Sequence, residues 1–212
     1  MTASPRFEIR AVAELRELRP CCSEDERAAA LRLRFEADRD RTLGARALAR
    51  VVLSEVAGIP ADALRFGVGP HGKPYLLEPA ELRFNTTHSG DHVGLVVGEG
   101  FEVGIDLEVE SPRVDPLEVG PTVFTPGELA MLHGVTPDEA RRRFYVLWTR
   151  KEAALKAWGT GFSLDARAVE VGALSGRSVV HHPTFGGAVV ESLALTPSVA
   201  GALAWTHPSG PP

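Results

Sequence analysis

The sequence contains very little cysteine: Cys21 and Cys22, which are neighbours, are the two cysteines among its 212 residues. Adjacent cysteines rarely form a comfortable disulfide, and two thiols alone do not make a zinc site. We therefore expect no disulfide framework and no structural zinc. A reducing, cytoplasmic setting suits this composition best.

Long apolar runs and an excess of positive charge are also missing. No run approaches the roughly 18 residues of a membrane-spanning helix, so we expect no membrane protein. Residues 1–10 carry charges and no apolar segment, so we expect no signal peptide. The formal net charge of −5 argues against broad nucleic-acid binding, although it allows a local basic pocket for one phosphate-rich ligand.

Two helical stretches, each followed by strands, organise the remaining pattern. Residues 23–58 begin with Ser23 and Glu26, a capping-box spacing, and this stretch divides near residues 38–40. Residues 136–158 form a second long helix, which Gly159 ends. The pattern predicts an α+β protein of two similar halves packed pseudo-symmetrically, residues 1–101 and residues 102–212.

The strand predictions depend on short apolar runs between turn residues. Residues 92–97 and 101–109 are predicted to form a hairpin around Gly98, Glu99 and Gly100. After the second long helix, four further strands are expected, at residues 168–171, 178–181, 188–193 and 201–206.

The segment Gly104-Ile105-Asp106-Leu107-Glu108 is the first candidate site. Alternation along a strand places Asp106 and Glu108 on one face, with Cα atoms roughly 6.5 Å apart. Two such carboxylates can converge on one cation, which would offset their repulsion. The alternative is the solvated outer face of a half-buried sheet.

Three more segments carry polar groups that suit phosphate. Glu152 and Lys156 are four residues apart on a helix and share a face, although an ordinary exposed pair has the same spacing. Residues 85–90 read Asn-Thr-Thr-His-Ser-Gly, which favours either a polar pocket edge or a turn capped by its own side chains. Residues 69–74 read Gly-Pro-His-Gly-Lys-Pro, where glycines let backbone N–H groups approach a ligand and Lys73 supplies charge.

In this order and spacing, the segments resemble the 4′-phosphopantetheinyl transferases of the surfactin-synthetase-activating type. Gly-Ile-Asp-x-Glu at residues 104–108 and Trp-x-x-Lys-Glu at residues 148–152 carry most of the likeness, which covers about residues 25–165. The resemblance implies transfer of the 4′-phosphopantetheine arm of coenzyme A to a serine of an apo carrier protein, with 3′,5′-ADP released.

The resemblance also assigns roles at the metal and at the pyrophosphate. It implies that Asp106, Glu108 and Glu152 bind Mg²⁺, an ion that prefers carboxylates, water and phosphate oxygens. Glu152 would also be the general base toward the carrier serine, directly or through a water. Lys156 would hold the pyrophosphate oxygens, and Lys151 would assist.

Further residues would face the rest of coenzyme A. By resemblance, Lys73 and His88 face its phosphates, Thr87 and Ser89 lie beside the adenosine, and Arg41 faces the nucleotide. The basic pair that such enzymes carry for the 3′-phosphate has no clean match here, so Arg27 and Arg32 both remain open.

The expected partners follow from the same resemblance. The carrier protein could belong to a peptide synthetase, a polyketide synthase or a fatty acid synthase, and the resemblance favours secondary metabolism. The chain is expected to be a monomer. Two rivals remain. A metal-dependent phosphodiesterase could use the same carboxylates to cleave coenzyme A, and a non-catalytic module could bind coenzyme A or a carrier.

Overall fold

Helices and antiparallel sheets both contribute to the fold, as an α+β protein requires. The computed structural model describes residues 4–161 and 164–206. The helices within these residues are α1 (Glu24–Leu31), α2 (Glu36–Ala57), α3 (Pro116–Val119), α4 (Pro126–Ala130) and α5 (Pro137–Trp158). Three 3₁₀ segments add Val12–Cys21, Gly120–Thr122 and Ala166–Ala168. Across the described residues, no helix is both long and apolar enough to cross a membrane.

Strands of the described residues form three separate sheets. They are β1 (Arg6–Ala11), β2 (Phe66–Val68), β3 (Pro74–Leu76), β4 (Leu82–Ser89), β5 (His92–Glu99), β6 (Val103–Val109), β7 (Arg177–His182), β8 (Gly186–Ser192) and β9 (Val199–Thr206). The first sheet has the order β1-β5-β4, the second is the hairpin β2-β3, and the third has the order β6-β9-β8-β7. All pairs are antiparallel.

Local capping chemistry determines where the helices begin and end. The Ser23 hydroxyl accepts from the Glu26 amide while the Glu26 carboxylate accepts from the Ser23 amide, which satisfies two free donors of α1. Gly58 and Gly159 end the two long helices in the left-handed conformation. The predicted division of residues 23–58 is present, but it lies at residues 32–35 rather than 38–40.

Each long helix packs on one sheet and shares a core with it. Helix α2 buries Leu48, Val52 and Leu53 with residues of β4 and β5. Helix α5 buries another set with β8 and β9 and lies against β6. Each buried aliphatic side chain contributes about 1.5–3 kcal/mol of transfer free energy. The first and third sheets meet at their edge strands, β4 and β6, which lie side by side.

The predicted hairpin of residues 92–97 and 101–109 is wrong, although both strands exist. Strand β5 pairs with β1 on one side and with β4 on the other, whereas β6 pairs with β9. Strand β6 instead packs on β5, since a Cβ atom on Gly94 would lie 3.0 Å from side-chain carbons of Ile105 and Leu107. Strand β1, which takes the free edge of β5, was not predicted.

The C-terminal strands agree with the sequence pattern except at one place. Strands β7, β8 and β9 confirm the three last predictions to within two residues at each end. Residues 168–171 are not a strand: a 3₁₀ turn ends at Ala168, and Val169 and Val171 are buried without strand pairing. Apolar burial alone therefore produced the strand-like pattern.

Candidate functional site

Alternate side chains of β4 join it to the neighbouring strand β6. Residues 85, 87 and 89 lie on one side of β4, as strand alternation requires. Four hydrogen bonds connect the strands: Ile105 N to Asn85 Oδ1 at 3.1 Å, Thr87 Oγ1 to Asp106 Oδ1 at 3.2 Å, Ser89 Oγ to Glu108 Oε2 at 2.9 Å, and Val109 N to Ser89 Oγ at 3.0 Å. The polar run is thus a strand edge facing the carboxylates, and the turn alternative is wrong.

Helix α5 approaches β6 unusually closely at Gly104. A Cβ atom at this position would lie 2.5 Å from the backbone nitrogen of Ala157 and closer still to the carbonyl oxygen of Ala153. Real Cβ atoms do not make such contacts with backbone, so only glycine permits this packing. The contact brings Glu152 and Lys156 of the helix next to Asp106 and Glu108 of the strand.

Asp106 is the most deeply buried of the acidic groups at this contact, with 4% of the residue exposed. Its Oδ1 accepts from Lys156 Nζ at 2.6 Å and from Thr87. Its Oδ2 is also buried but has no hydrogen-bond partner among the described residues. Burial raises the pKa of Asp106, and Lys156 opposes this rise.

Glu108 and Glu152 lie close enough to Asp106 to feel its charge. Burial and then the charge of Asp106 raise the pKa of Glu108, while hydrogen bonds with Ser89 and Trp148 lower it. Burial and then Asp106 also raise the pKa of Glu152, which Lys156 lowers. The three carboxylates therefore repel one another in a partly dry site, and a cation between them would be stabilising.

The donor set fits a hard cation in its chemistry. As they stand, no three His, Cys, Asp or Glu side chains of residues 4–161 and 164–206 are arranged to hold a metal ion. One oxygen of Asp106 is taken by the ammonium of Lys156, whereas its Oδ2 is left unpaired. Carboxylate oxygens are the ligands that Mg²⁺ prefers, and a buried carboxylate oxygen without a partner is costly unless something positive meets it.

Lys156 points into this site and not along the helix surface. Its Nζ donates to Ile105 O at 3.1 Å and to Thr87 Oγ1 at 3.4 Å, besides Asp106. About a quarter of the side chain is exposed, at 26%. No ion pair joins it to Glu152 in the described residues, so the exposed Glu–Lys pair considered from the sequence is wrong.

His88 and Arg41 lie at the end of β4 beside this group. The imidazole of His88 is exposed at the rim, and partial desolvation followed by the charges of Arg41 and Lys156 lowers its pKa. Arg41 donates to the carbonyl of Gly90 at 3.3 Å and pairs with Asp38. His88 and Arg41 thus form a basic pair at the end of β4, and the charge of Lys156 reaches the imidazole.

The structure does not bring Lys151 to this site. Its side chain is 1% exposed and pairs at 2.7 Å with Glu128, whose side chain is fully buried. The ammonium also donates to the carbonyls of Ala166 and Val169. Lys151 lies about 140° around the helix from Lys156, since each residue of an α-helix turns by about 100°. We therefore leave Lys151 out of the site.

Lys73 lies at the opposite end of the contact between the sheets. Its Nζ donates to Glu102 Oε2 at 2.9 Å, to Val103 O at 3.1 Å and to Ala157 O at 3.4 Å. Desolvation lowers its pKa, and the charge of Glu102 opposes that change. The side chain thus contacts the start of β6 and the end of α5, and not the three carboxylates.

Several residues of the site had no clear signal in the sequence. Trp148 packs on the core beneath α5, and it also lowers the pKa of the neighbouring Glu108 carboxyl. Arg150, which is fully buried, donates to Gly176 O at 2.9 Å and Ser192 Oγ at 2.7 Å, and so ties α5 to the C-terminal sheet. The alternation of Asn85, Thr87 and Ser89 could have identified β4 as a strand.

Comparison with known proteins gives two family matches that together span most of the chain. Residues 11–99 match the N-terminal region of 4′-phosphopantetheinyl transferases, and residues 102–191 match the 4′-phosphopantetheinyl transferase superfamily. The similar proteins include psf-1 of Bacillus pumilus, a 4′-phosphopantetheinyl transferase that is 31% identical over 201 residues, 92% of this chain and 84% of psf-1.

Two further relatives carry the same description. A 4′-phosphopantetheinyl transferase of Bacillus subtilis is 32% identical over 67% of this chain and 62% of its own length. AcpT of Escherichia coli O157:H7, also a 4′-phosphopantetheinyl transferase, is 38% identical over 57% of this chain and 58% of its own length. The chain thus spans less than two thirds of the length of these two proteins.

Proposed function

The chain belongs to the 4′-phosphopantetheinyl transferase superfamily, and we propose that it transfers the 4′-phosphopantetheine arm of coenzyme A to a serine of an apo carrier protein. The other product is 3′,5′-ADP. One observation supports this proposal best: Asp106, Glu108, Glu152 and Lys156 meet where α5 crosses β6. Carboxylates for a metal and an ammonium for phosphate are what such a transfer requires.

Asp106, Glu108 and Glu152 are the residues that would hold Mg²⁺ in this proposal. The unpaired Oδ2 of Asp106 and the mutual repulsion of the carboxylates support the assignment. When bound, Mg²⁺ would supply positive charge to the pyrophosphate oxygens as charge grows on the leaving group. The cation would also stabilise the three carboxylates, because Lys156 neutralises their charges only in part.

Glu152 is the proposed general base. The serine oxygen forms a bond to the β-phosphorus of coenzyme A, the bond between that phosphorus and the bridging oxygen breaks, and 3′,5′-ADP leaves with the bond electrons. The serine proton goes to Glu152, directly or through a water.

Lys156 and the residues of β4 would bind the nucleotide part. Lys156 donates hydrogen bonds to the pyrophosphate oxygens in place of Asp106. His88 and Arg41 would meet the 3′-phosphate, and Thr87 and Ser89 would lie beside the adenosine. The proximity of Arg41 and Lys156 to His88 supports the first assignment. Neither Arg27 nor Arg32 is preferred for the 3′-phosphate by any contact in the structure.

The partner in this proposal is an apo carrier protein of a peptide synthetase, polyketide synthase or fatty acid synthase. We propose a monomer acting in the cytoplasm, in secondary metabolism. The two units proposed from the sequence, residues 1–101 and 102–212, would each contribute one wall of the coenzyme A groove. Lys156 and Glu152 come from the second unit, and His88 and Arg41 from the first.

The direct test is the intact mass of a purified apo carrier protein after incubation with this protein, coenzyme A and Mg²⁺. We expect the mass to rise by one phosphopantetheine group, and the rise to vanish with a chelator or with Glu152→Gln. Glu139→Gln, on the exposed start of the same helix, is the matched control and should remain active. Loss of coenzyme A with an unmodified carrier would instead indicate a hydrolase, and intact coenzyme A with an unmodified carrier would indicate a binding module.

A further inference from the structure

All three lysines of the chain lie on helix α5 or contact it. They are Lys73, Lys151 and Lys156, whereas the other basic residues of the 23 are arginines. Lys151 and Lys156 belong to the helix, and Lys73 reaches its last turn from the loop between β2 and β3. Lys73 is therefore the lysine that connects the first part of the chain to the catalytic helix.

The ammonium of Lys73 has no hydrogen-bond donor left for a ligand. A protonated lysine carries three N–H donors. Three protein acceptors lie within hydrogen-bond distance: the Glu102 carboxylate, the Val103 carbonyl and the Ala157 carbonyl. The side chain is only 17% exposed. Lys156 also has three acceptors, but in the proposed transfer Mg²⁺ would replace it at Asp106. No such cation is proposed at Glu102, so a phosphate could bind the Lys73 ammonium only if one of its acceptors were abandoned in a partly dry site.

Glu102, which faces Lys73, is itself held from several directions. Its Oε1 accepts from Arg83 Nε of β4 at 2.7 Å while its Oε2 accepts from Lys73. Its backbone exchanges hydrogen bonds with Thr206 of β9, at 3.0 Å and 2.9 Å. Glu102 thus joins the β2–β3 loop and β4 through its carboxylate, and the third sheet through its backbone.

The third acceptor of Lys73 lies in the last turn of α5. The Ala157 carbonyl is one of the helix-end acceptors that have no partner within the helix, and a positive charge is stabilising there. The preceding residue is Lys156, whose ammonium contacts Asp106. A shift of this turn would therefore move the Lys156 ammonium relative to the carboxylates.

We propose that Lys73 and Glu102 are a positioning pair that holds the last turn of α5, so that Lys156 meets Asp106, and that Lys73 is not a phosphate ligand. This inference rests on the proposed function, because the geometry it maintains is that of the proposed transfer. It differs from the role that the family resemblance implies for Lys73. The two roles predict opposite effects of neutralising Glu102.

The distinguishing variant is Glu102→Gln, which preserves size and one acceptor oxygen but removes the charge. If Lys73 bound phosphate, loss of the competing carboxylate would tighten coenzyme A binding. For a positioning pair, coenzyme A binding should be unchanged or weaker, because Lys156 is displaced, while kcat falls by about tenfold or more. Glu55→Gln, which neutralises an exposed carboxylate paired with Arg6, is the matched control and should change neither quantity.

Lys73→Met completes a double-mutant cycle with Glu102→Gln. Methionine retains the apolar stem and removes all three donors, so kcat should fall at least as far as in Glu102→Gln. The double variant should be no worse than Lys73→Met alone, because both changes remove one contact. Weaker coenzyme A binding with an unchanged kcat in Lys73→Met, or tighter binding in Glu102→Gln, would overturn the proposal.

Hydrogen exchange supplies a readout that does not depend on activity. The amides of Gly159 and Thr160 close the end of α5 by bonding to carbonyls of Lys156 and Leu155. Both amides should exchange faster in Glu102→Gln and Lys73→Met than in the wild type, and at the wild-type rate in Glu55→Gln. Unchanged exchange would refute the positioning role. A wild-type protein that fails to modify any carrier, with faster exchange in the variants, would refute the proposed function alone.

Discussion

Lys156 Nζ lies 2.6 Å from Asp106 Oδ1, and this ion pair connects the last turn of α5 to the middle of β6. The same ammonium donates to the carbonyl of Ile105. Asp106 is buried and its second oxygen lacks a partner among the described residues. The lysine therefore partly neutralises an acidic cluster that is otherwise short of positive charge, and it lies where pyrophosphate would need a donor.

Replacing Lys156 with methionine should abolish most of the transfer activity. One well-placed donor to developing charge is worth about 10²- to 10³-fold in rate. We expect a loss of that size in the carrier-modification rate at saturating coenzyme A. Lys156→Arg should recover part of the rate, because it restores the charge but not the compact geometry of the ammonium. Full activity of Lys156→Met would exclude the proposed pyrophosphate role.

Gly104→Ala should damage both stability and activity. The new methyl group would meet the backbone of α5 at Ala157 and Ala153, which cannot rotate away, so the helix must shift. We expect the free energy of unfolding, measured by urea denaturation, to fall by about 1–3 kcal/mol. Transfer should fall further than the unfolded fraction explains, because Glu152 and Lys156 move with the helix.

The control for this change is Gly187→Ala. A Cβ atom at Gly187 would lie 3.7 Å from its nearest neighbour, an ordinary van der Waals distance. We expect a change in unfolding free energy of less than about 0.5 kcal/mol and normal transfer. Equal effects of the two substitutions would show that the close contact at Gly104 does not determine the position of α5.

Lys151→Met should destabilise the protein without changing its affinity for coenzyme A. It would leave the fully buried carboxylate of Glu128 without its ammonium, and breaking such a pair on one side costs about 3–5 kcal/mol. Urea denaturation of Lys151→Met, Lys151→Met/Glu128→Gln and the exposed-pair control Arg167→Met would test this. The double variant should recover part of the loss, and the control, an exposed pair screened by solvent, should unfold like the wild type. A selective loss of coenzyme A affinity in folded Lys151→Met would instead favour a ligand role.

Features governed by neighbouring residues could be predicted from the sequence. The caps at Ser23, Thr125 and Thr136 and the terminating Gly159 depend on contacts within four residues, and all are present. The pairing of β5 and β6 could not be predicted, because it depends on which distant strand takes each edge. Strand β1 pairs with one edge of β5, and no turn residues in the sequence mark its six residues as a strand.

The site divides in the same way. The spacing of Asp106, Glu108, Glu152 and Lys156 indicated shared faces, and the structure brings those faces together. The surroundings of Lys73 and Lys151 could not be predicted, because the carboxylates that pair with them lie 29 and 23 residues away in the chain. Sequence reasoning found the charges, whereas their partners required the fold.

Cys21 should react with alkylating reagents at neutral pH much faster than Cys22. The neighbouring Cys22 thiol lowers the pKa of Cys21 to about 7, with burial opposing and the charge of Arg50 assisting this shift. The same interaction, together with burial, raises the pKa of Cys22. Because the thiolate is the reactive form, labelling of Cys21 by iodoacetamide should reach half its maximal rate near pH 7.

Peptide mass spectrometry after timed labelling distinguishes the two thiols. Cys22→Ala removes the neighbouring thiol, so the midpoint for Cys21 should move toward the ordinary value of about 8.5. Cys22→Ser retains an O–H donor and should keep most of the shift. Equal labelling of both thiols in the wild type, or a Cys21 midpoint that does not respond to Cys22→Ala, would show that the neighbouring thiol does not control its reactivity. The reactivity of Cys21 would then depend on Arg50, which Arg50→Met would reveal by a further rise of the midpoint.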